Sequence, residues 1–206
     1  MTGFLQAADP PVILASASAT RARLLRSAGV AFEAAAPGVD EAAVKESARA
    51  EGASAEDCAL LLAELKARRL SELRPEALVI GADQILVCDG VWFDKPETMP
   101  GAVRQLALLA GRTHVLVTAV VCLRRGARLW HHLAAPKLTM RPLSPETVSA
   151  YVEAAGEGVR RNVGAYAIES LGIRLFSAIS GEHSAILGLP LLPLLGFLRQ
   201  HGVLQD

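Results

Sequence analysis

Val12-Ile13-Leu14-Ala15-Ser16-Ala17-Ser18-Ala19-Thr20-Arg21 decides the fold of this chain. Four apolar residues behind Pro10-Pro11 read as a short strand, and the pattern from Ala19 to Ser27, halted at Gly29, reads as a helix. The turn between them, Ser16-Ala17-Ser18, presents backbone amides at the positive end of a helix dipole. Serine hydroxyls and Arg21 at such a turn make a phosphate cradle, with plain helix capping by Ser18 the alternative.

The alternation continues outward. Val30 to Ala36 reads as a strand ended by Pro37-Gly38, and Ser54 to Leu73 as a long helix with Ser54 as its N-cap. At about 100° per residue, Cys58, Leu61, Leu62, Leu65, Leu70 and Leu73 share one broad face, and Lys66 falls inside it. A lysine there either snorkels or aims into a cleft. Leu78 to Cys88 is a β-type run ending in Asp89-Gly90, a hairpin turn that returns through Val91-Trp92-Phe93. Helices are expected over 100–110, over 145–155 behind an N-cap at Ser144, and over 191–201, with paired strands over 115–123 and 128–135. Strands alternating with helices predict an α/β domain whose mixed sheet is flanked by helices.

The chain has 206 residues, of which 51% are hydrophobic and 20% charged, which excludes a disordered chain. Its 21 basic and 21 acidic residues balance, which argues against polymeric nucleic acid or an anionic membrane as partner. Cys58, Cys88 and Cys122 are odd in number, widely spaced and set among apolar neighbours, so buried free thiols and a reducing cytoplasm are expected. The run Ile186 to Leu198 is broken by Pro190 and Pro193 and falls short of the ~20 residues a spanning helix needs.

Phosphate-loop, GxGxxG, HExxH and GxSxG patterns are absent. The candidates for chemistry are polar groups lodged in apolar segments. Asp83 interrupts a strand, and a buried carboxylate must be hydrogen-bonded, paired or metal-bound. Lys95 is held extended by Pro96, Asp40-Glu41 follow the Pro37-Gly38 turn as metal ligands or an acidic loop, and Glu169 breaks the apolar segment Ala165 to Ile173. His114, His131 and His132 lack a spaced partner and read as structural or exposed.

Taken in order, these pieces resemble one family. Leu14 to Arg21 with Leu24-Leu25 is similar to the LASxSPRRxxLL opening of the Maf nucleotide pyrophosphatases. The similarity continues through Val39-Asp40-Glu41, Ala63-Glu64-Leu65-Lys66-Ala67, Val79-Ile80-Gly81-Ala82-Asp83, Lys95-Pro96, Leu109 to His114, Thr118, Gly164 to Glu169 and Gly188-Leu189-Pro190-Leu191. It spans residues 12 to about 198 and implies one domain over 1–206, elongated and ITPase-like, with a mixed sheet, an active-site cleft and often a homodimer. It implies hydrolysis of a nucleoside triphosphate between the α and β phosphates, with Mg²⁺ or Mn²⁺.

By position, Asp83 matches the family's proton acceptor, and Lys66, Lys95 and Asp40 match its catalytic polar groups. Ser16, Ser18 and Arg21 match its triphosphate binders, and Asp83 with Asp40 is the implied metal pair. Thr20, Gln84 and Glu169 occupy its specificity positions. Gln84 and Glu169 resemble the branch that prefers 7-methyl-GTP, whereas Thr20 stands where that branch carries tryptophan. The alternatives are dTTP or UTP as substrate, or a non-catalytic nucleotide-binding regulator of septum formation.

Overall fold

The computed structural model describes residues 4–205. Its eight strands make up one mixed sheet flanked by helices. The described residues cluster into two compact units, the first formed by residues up to 84, 118–134 and 182–205, the second by Ile85–Val117 and Ala135–Gly181.

In the first unit, β1 (Val12–Ala15) lies parallel between β2 (Glu33–Ala35) and the opening half of β3 (Leu78–Cys88), with Ala15 opposite Gly81. The second half of β5 (Thr113–Arg124) pairs antiparallel with β6 (Ala127–Ala134). Side chains alternate across a strand, and the two faces of β3 use that alternation differently. Leu78, Ile80 and Ala82 join Val12 and Leu14 in a core with Ala22 and Leu25 of α1 (Ala19–Ser27) and Leu194, Phe197 and Leu198 of α7 (Leu191–Gln200).

Gly81 and Asp83 face the other way, toward α3 (Ala55–Leu73). Of the face expected from the sequence, Cys58, Leu62 and Lys66 are buried, but Leu61 and Leu73 are exposed, and Ala59, Ala63 and Ala67 are buried alongside. The reason is close packing: a Cβ on Gly81 would lie 2.1 Å from the Ala63 carbonyl oxygen and 3.0 Å from the Ala67 Cβ. Only small residues allow that approach.

Asp40 and Glu41, for which the sequence offers a metal site or an acidic loop, are instead the N-cap and first residue of a helix, α2 (Glu41–Ala50), which the sequence reading does not include. Its buried residues are only Lys45 and Ala48, too thin an apolar pattern to announce a helix.

The second unit contains the hairpin of β3 with β4 (Val91–Phe93), in which Asp89 and Gly90 both take positive φ, as a two-residue turn of this type requires. Helices α4 (Met99–Leu109) and α5 (Pro145–Ala155) accompany it. The sequence reading did not include β7 (Lys137–Met140) or β8 (Phe176–Ser180), which is largely exposed and pairs with β7. The one-turn α6 (His183–Ile186), in the first unit, was also missed. All three cysteines are buried thiols, as expected. Among the described residues no helix is long and apolar enough to cross a membrane.

Candidate active site

The site in the first unit is built on the β1–α1 turn, the end of the first half of β3, and α3. Ser18 caps α1 by accepting from the Arg21 backbone N–H at 3.3 Å, and Ser16 Oγ accepts from the Ser18 N–H at 3.2 Å. The sequence alternative of plain capping by Ser18 is therefore present in the structure. Each hydroxyl spends acceptor capacity on the turn and keeps an O–H to donate to an anion.

Arg21 is half-buried. Its Nε–H donates to the Gly188 carbonyl at 2.8 Å and its Nη1 to Ser16 Oγ at 3.4 Å. A guanidinium carries five N–H donors in a fixed fork, so two anchors set the plane in which the others present. Burial lowers the Arg21 pKa, opposed by the nearby charges of Asp83 and Glu41.

Lys66 does not snorkel. Its Nζ meets Asp83 Oδ1 at 2.5 Å and Glu41 Oε1 at 2.8 Å, with Lys66 and Asp83 both buried and Glu41 47% exposed. The second Asp83 oxygen, Oδ2, is buried with no hydrogen-bond partner among the described residues. A buried carboxylate oxygen without a partner carries a desolvation penalty, and it marks where a water, a cation or a reacting group belongs.

Asp40 sits one residue from this cluster with a different task. Its Oδ1 caps α2 by accepting from the Ala43 N–H at 3.1 Å, and the carboxylate that reaches Lys66 is that of Glu41. Two adjacent carboxylates in sequence differ in role because the helix begins between them.

Among the described residues, no three His, Cys, Asp or Glu side chains gather to hold a metal by themselves. Mg²⁺ is commonly held by one or two carboxylates plus substrate phosphates. Asp83 Oδ2, with Glu41 on the same lysine, fits a cation of that kind.

Gln84, next along β3, points to the opposite face. Its Nε2 donates to Thr118 Oγ1 at 2.8 Å and to the carbonyls of Ala185 and Ile186 at 3.0 and 3.1 Å. Thr20 is half-buried in the first turn of α1. Lys95 and Glu169 belong to the second unit, where both are exposed.

The sequence reading missed Glu182 entirely. Its signal was indirect: α7 starts behind Pro190, which has no side chain able to cap.

A model of the Maf-like protein family matches residues 11–201. The chain belongs to that family. A Rhodospirillum rubrum protein named nucleoside triphosphate pyrophosphatase is 59% identical over 200 residues, covering 97% of this chain and 99% of the relative. Proteins of the same name from Paramagnetospirillum magneticum and Granulibacter bethesdensis are 52% and 50% identical, covering 93% and 94% of this chain and 99% and 98% of theirs.

Proposed function

We propose that this Maf-like protein is a nucleoside triphosphate pyrophosphatase. Water attacks the α phosphorus, the bond to the bridging α–β oxygen breaks, and the products are a nucleoside monophosphate and pyrophosphate. The observation that carries the reading is Asp83: a buried carboxylate whose Oδ1 is fixed by Lys66 and whose Oδ2 lacks a partner. Oδ2 is the atom that orients the attacking water and takes its proton. The names of the three relatives supply the reaction class.

Phosphoryl transfer asks a protein mainly for positioning and for neutralisation of charge. Arg21 and the hydroxyls of Ser16 and Ser18 serve the phosphate chain, as do the amides of the β1–α1 turn. Lys66 is shared between Asp83 and Glu41 in the free protein, and an incoming phosphate competes with Glu41 for it. A divalent cation held by Asp83 and Glu41 supplies further charge neutralisation when bound. The family resemblance is the support for Lys95 as a further phosphate ligand.

For the base, 7-methyl-GTP is the first substrate to test. N7-methylation makes the guanine ring cationic, and the carboxylate of Glu169 favours a cation while accepting from the N1 and N2 donors. The Gln84 amide N–H groups are committed to Thr118 and two carbonyls, so that side chain has only its carbonyl oxygen to offer a ligand. The test compares wild type and Glu169→Gln on 7-methyl-GTP, GTP, dTTP, UTP and CTP. Preference for 7-methyl-GTP that shrinks in the variant supports the assignment, and a wild-type preference for dTTP or UTP refutes it.

A further inference from the structure

Helix α7 needs a cap, and it comes from upstream. Glu182 Oε1 accepts from the backbone N–H groups of Leu191 at 3.0 Å and Leu192 at 3.1 Å. Ser184 donates its hydroxyl to the same carboxylate and accepts from the Leu191 N–H at 2.9 Å. An acidic group at a helix N-terminus also meets the positive end of the dipole.

This clasp closes the turn between Glu182 and Pro190. Inside it the backbone N–H groups are satisfied locally: Ala185 and Ile186 donate to the Glu182 carbonyl, Leu187 to His183, Gly188 to Ala185 and Leu189 to Ser184. Three of its carbonyls, that of Ala185 shared with the Gly188 N–H, serve other elements of the site. Ala185 accepts from Thr118 at 3.1 Å and from Gln84 at 3.0 Å, Ile186 from Gln84 at 3.1 Å, and Gly188 from Arg21 Nε at 2.8 Å. Gly188 holds φ +95, and a Cβ there would stand 3.3 Å from Arg21 Nε.

We infer that Glu182 is a positioning residue: by capping α7 it fixes the turn whose carbonyls hold Arg21 and Gln84. One carboxylate that touches no substrate thereby sets the angle of the triphosphate-binding arginine and the posture of the specificity glutamine. The inference rests on the reading of Arg21 as a triphosphate ligand. Misplacement of such a group by about 1 Å costs on the order of 10²-fold in rate.

The experiment has two readouts. In the substrate-free protein, the Arg21 Nε–H resonance, assigned with Arg21→Lys, reports the bond to Gly188. Glu182→Ala moves it into the envelope of solvent-exposed arginines, Ser184→Ala shifts it in the same direction, and Glu182→Gln, which keeps an acceptor oxygen, leaves it in place. In turnover of a nucleoside triphosphate, Glu182→Ala lowers kcat/KM by roughly 10- to 100-fold, but has little effect when Arg21 is already alanine. An unmoved resonance in both Glu182→Ala and Ser184→Ala overturns the inference, as does an equal loss with and without Arg21. If wild type turns over no nucleoside triphosphate, the functional reading fails, and the resonance alone decides the role of Glu182. Should Glu182→Ala not fold, Ser184→Ala carries both readouts.

Discussion

Lys66 and Asp83 were visible in the sequence because each violates its surroundings, a cation on an apolar helix face and an anion in an apolar strand. Burial with a partner is the cheapest resolution of two such anomalies, and the two resolve each other at 2.5 Å. What the sequence did not show is that Asp83 Oδ2 stays without a partner, or that Glu41 rather than Asp40 meets the lysine. The second depends on where α2 begins. Removing one member of a buried pair strands the other, so Lys66→Met is expected to destabilise the protein by about 3 kcal/mol in urea denaturation. Adding Asp83→Asn to that variant returns part of the loss, because the buried carboxylate is then neutral and only the half-exposed Glu41 has lost its lysine. Glu41→Gln removes a half-exposed partner and is expected to change stability by less than about 1 kcal/mol, while lowering kcat/KM.

Gly81 shows how an element serves the site. The approach of α3 to β3 is closed enough that any Cβ at Gly81 collides with backbone, the Ala63 carbonyl, and backbone cannot rotate away. Gly81→Ala must push the helix outward and draw Lys66 from Asp83. We expect a stability loss of about 1–3 kcal/mol together with a loss of turnover larger than the loss of folded protein. Wild-type turnover in a folded Gly81→Ala protein would show that the close approach is not needed for the site. The principal elements, β1, α1, α3, β3 and the Asp89-Gly90 hairpin, were legible because strong patterns and turn residues mark them. In α2 and β8 the sequence offered little, since they bury few side chains and owe their form to neighbours. The clasp on α7 was illegible for another reason: its donors lie nine and ten residues from the acceptor, across a turn with no periodicity.

Over the whole molecule, stability against pH carries a contribution from the second unit. His114 is buried, bonded through Nε2 to Tyr166 Oη at 2.7 Å and flanked by Phe176. Burial lowers its pKa from 6.5 to about 4. Between those values the unfolded chain binds a proton that the folded one refuses, so this contribution is intact above pH 6.5 and is lost as pH falls toward 4. At pH 5 the loss is on the order of 2 kcal/mol relative to neutral pH. His114→Gln is expected to flatten that part of the curve in urea denaturation at pH 7.5 and 5. A curve as steep as wild type would mean that His114 is not protected from protonation. The reaction itself is the central claim, and ³¹P NMR of nucleoside triphosphate turnover with Mg²⁺ tests it most directly. Wild type should release pyrophosphate and nucleoside monophosphate in equal amounts without orthophosphate, and Asp83→Asn should reduce the rate by roughly 10²- to 10⁴-fold. Orthophosphate as the first product, or an Asp83→Asn protein as fast as wild type, would contradict it.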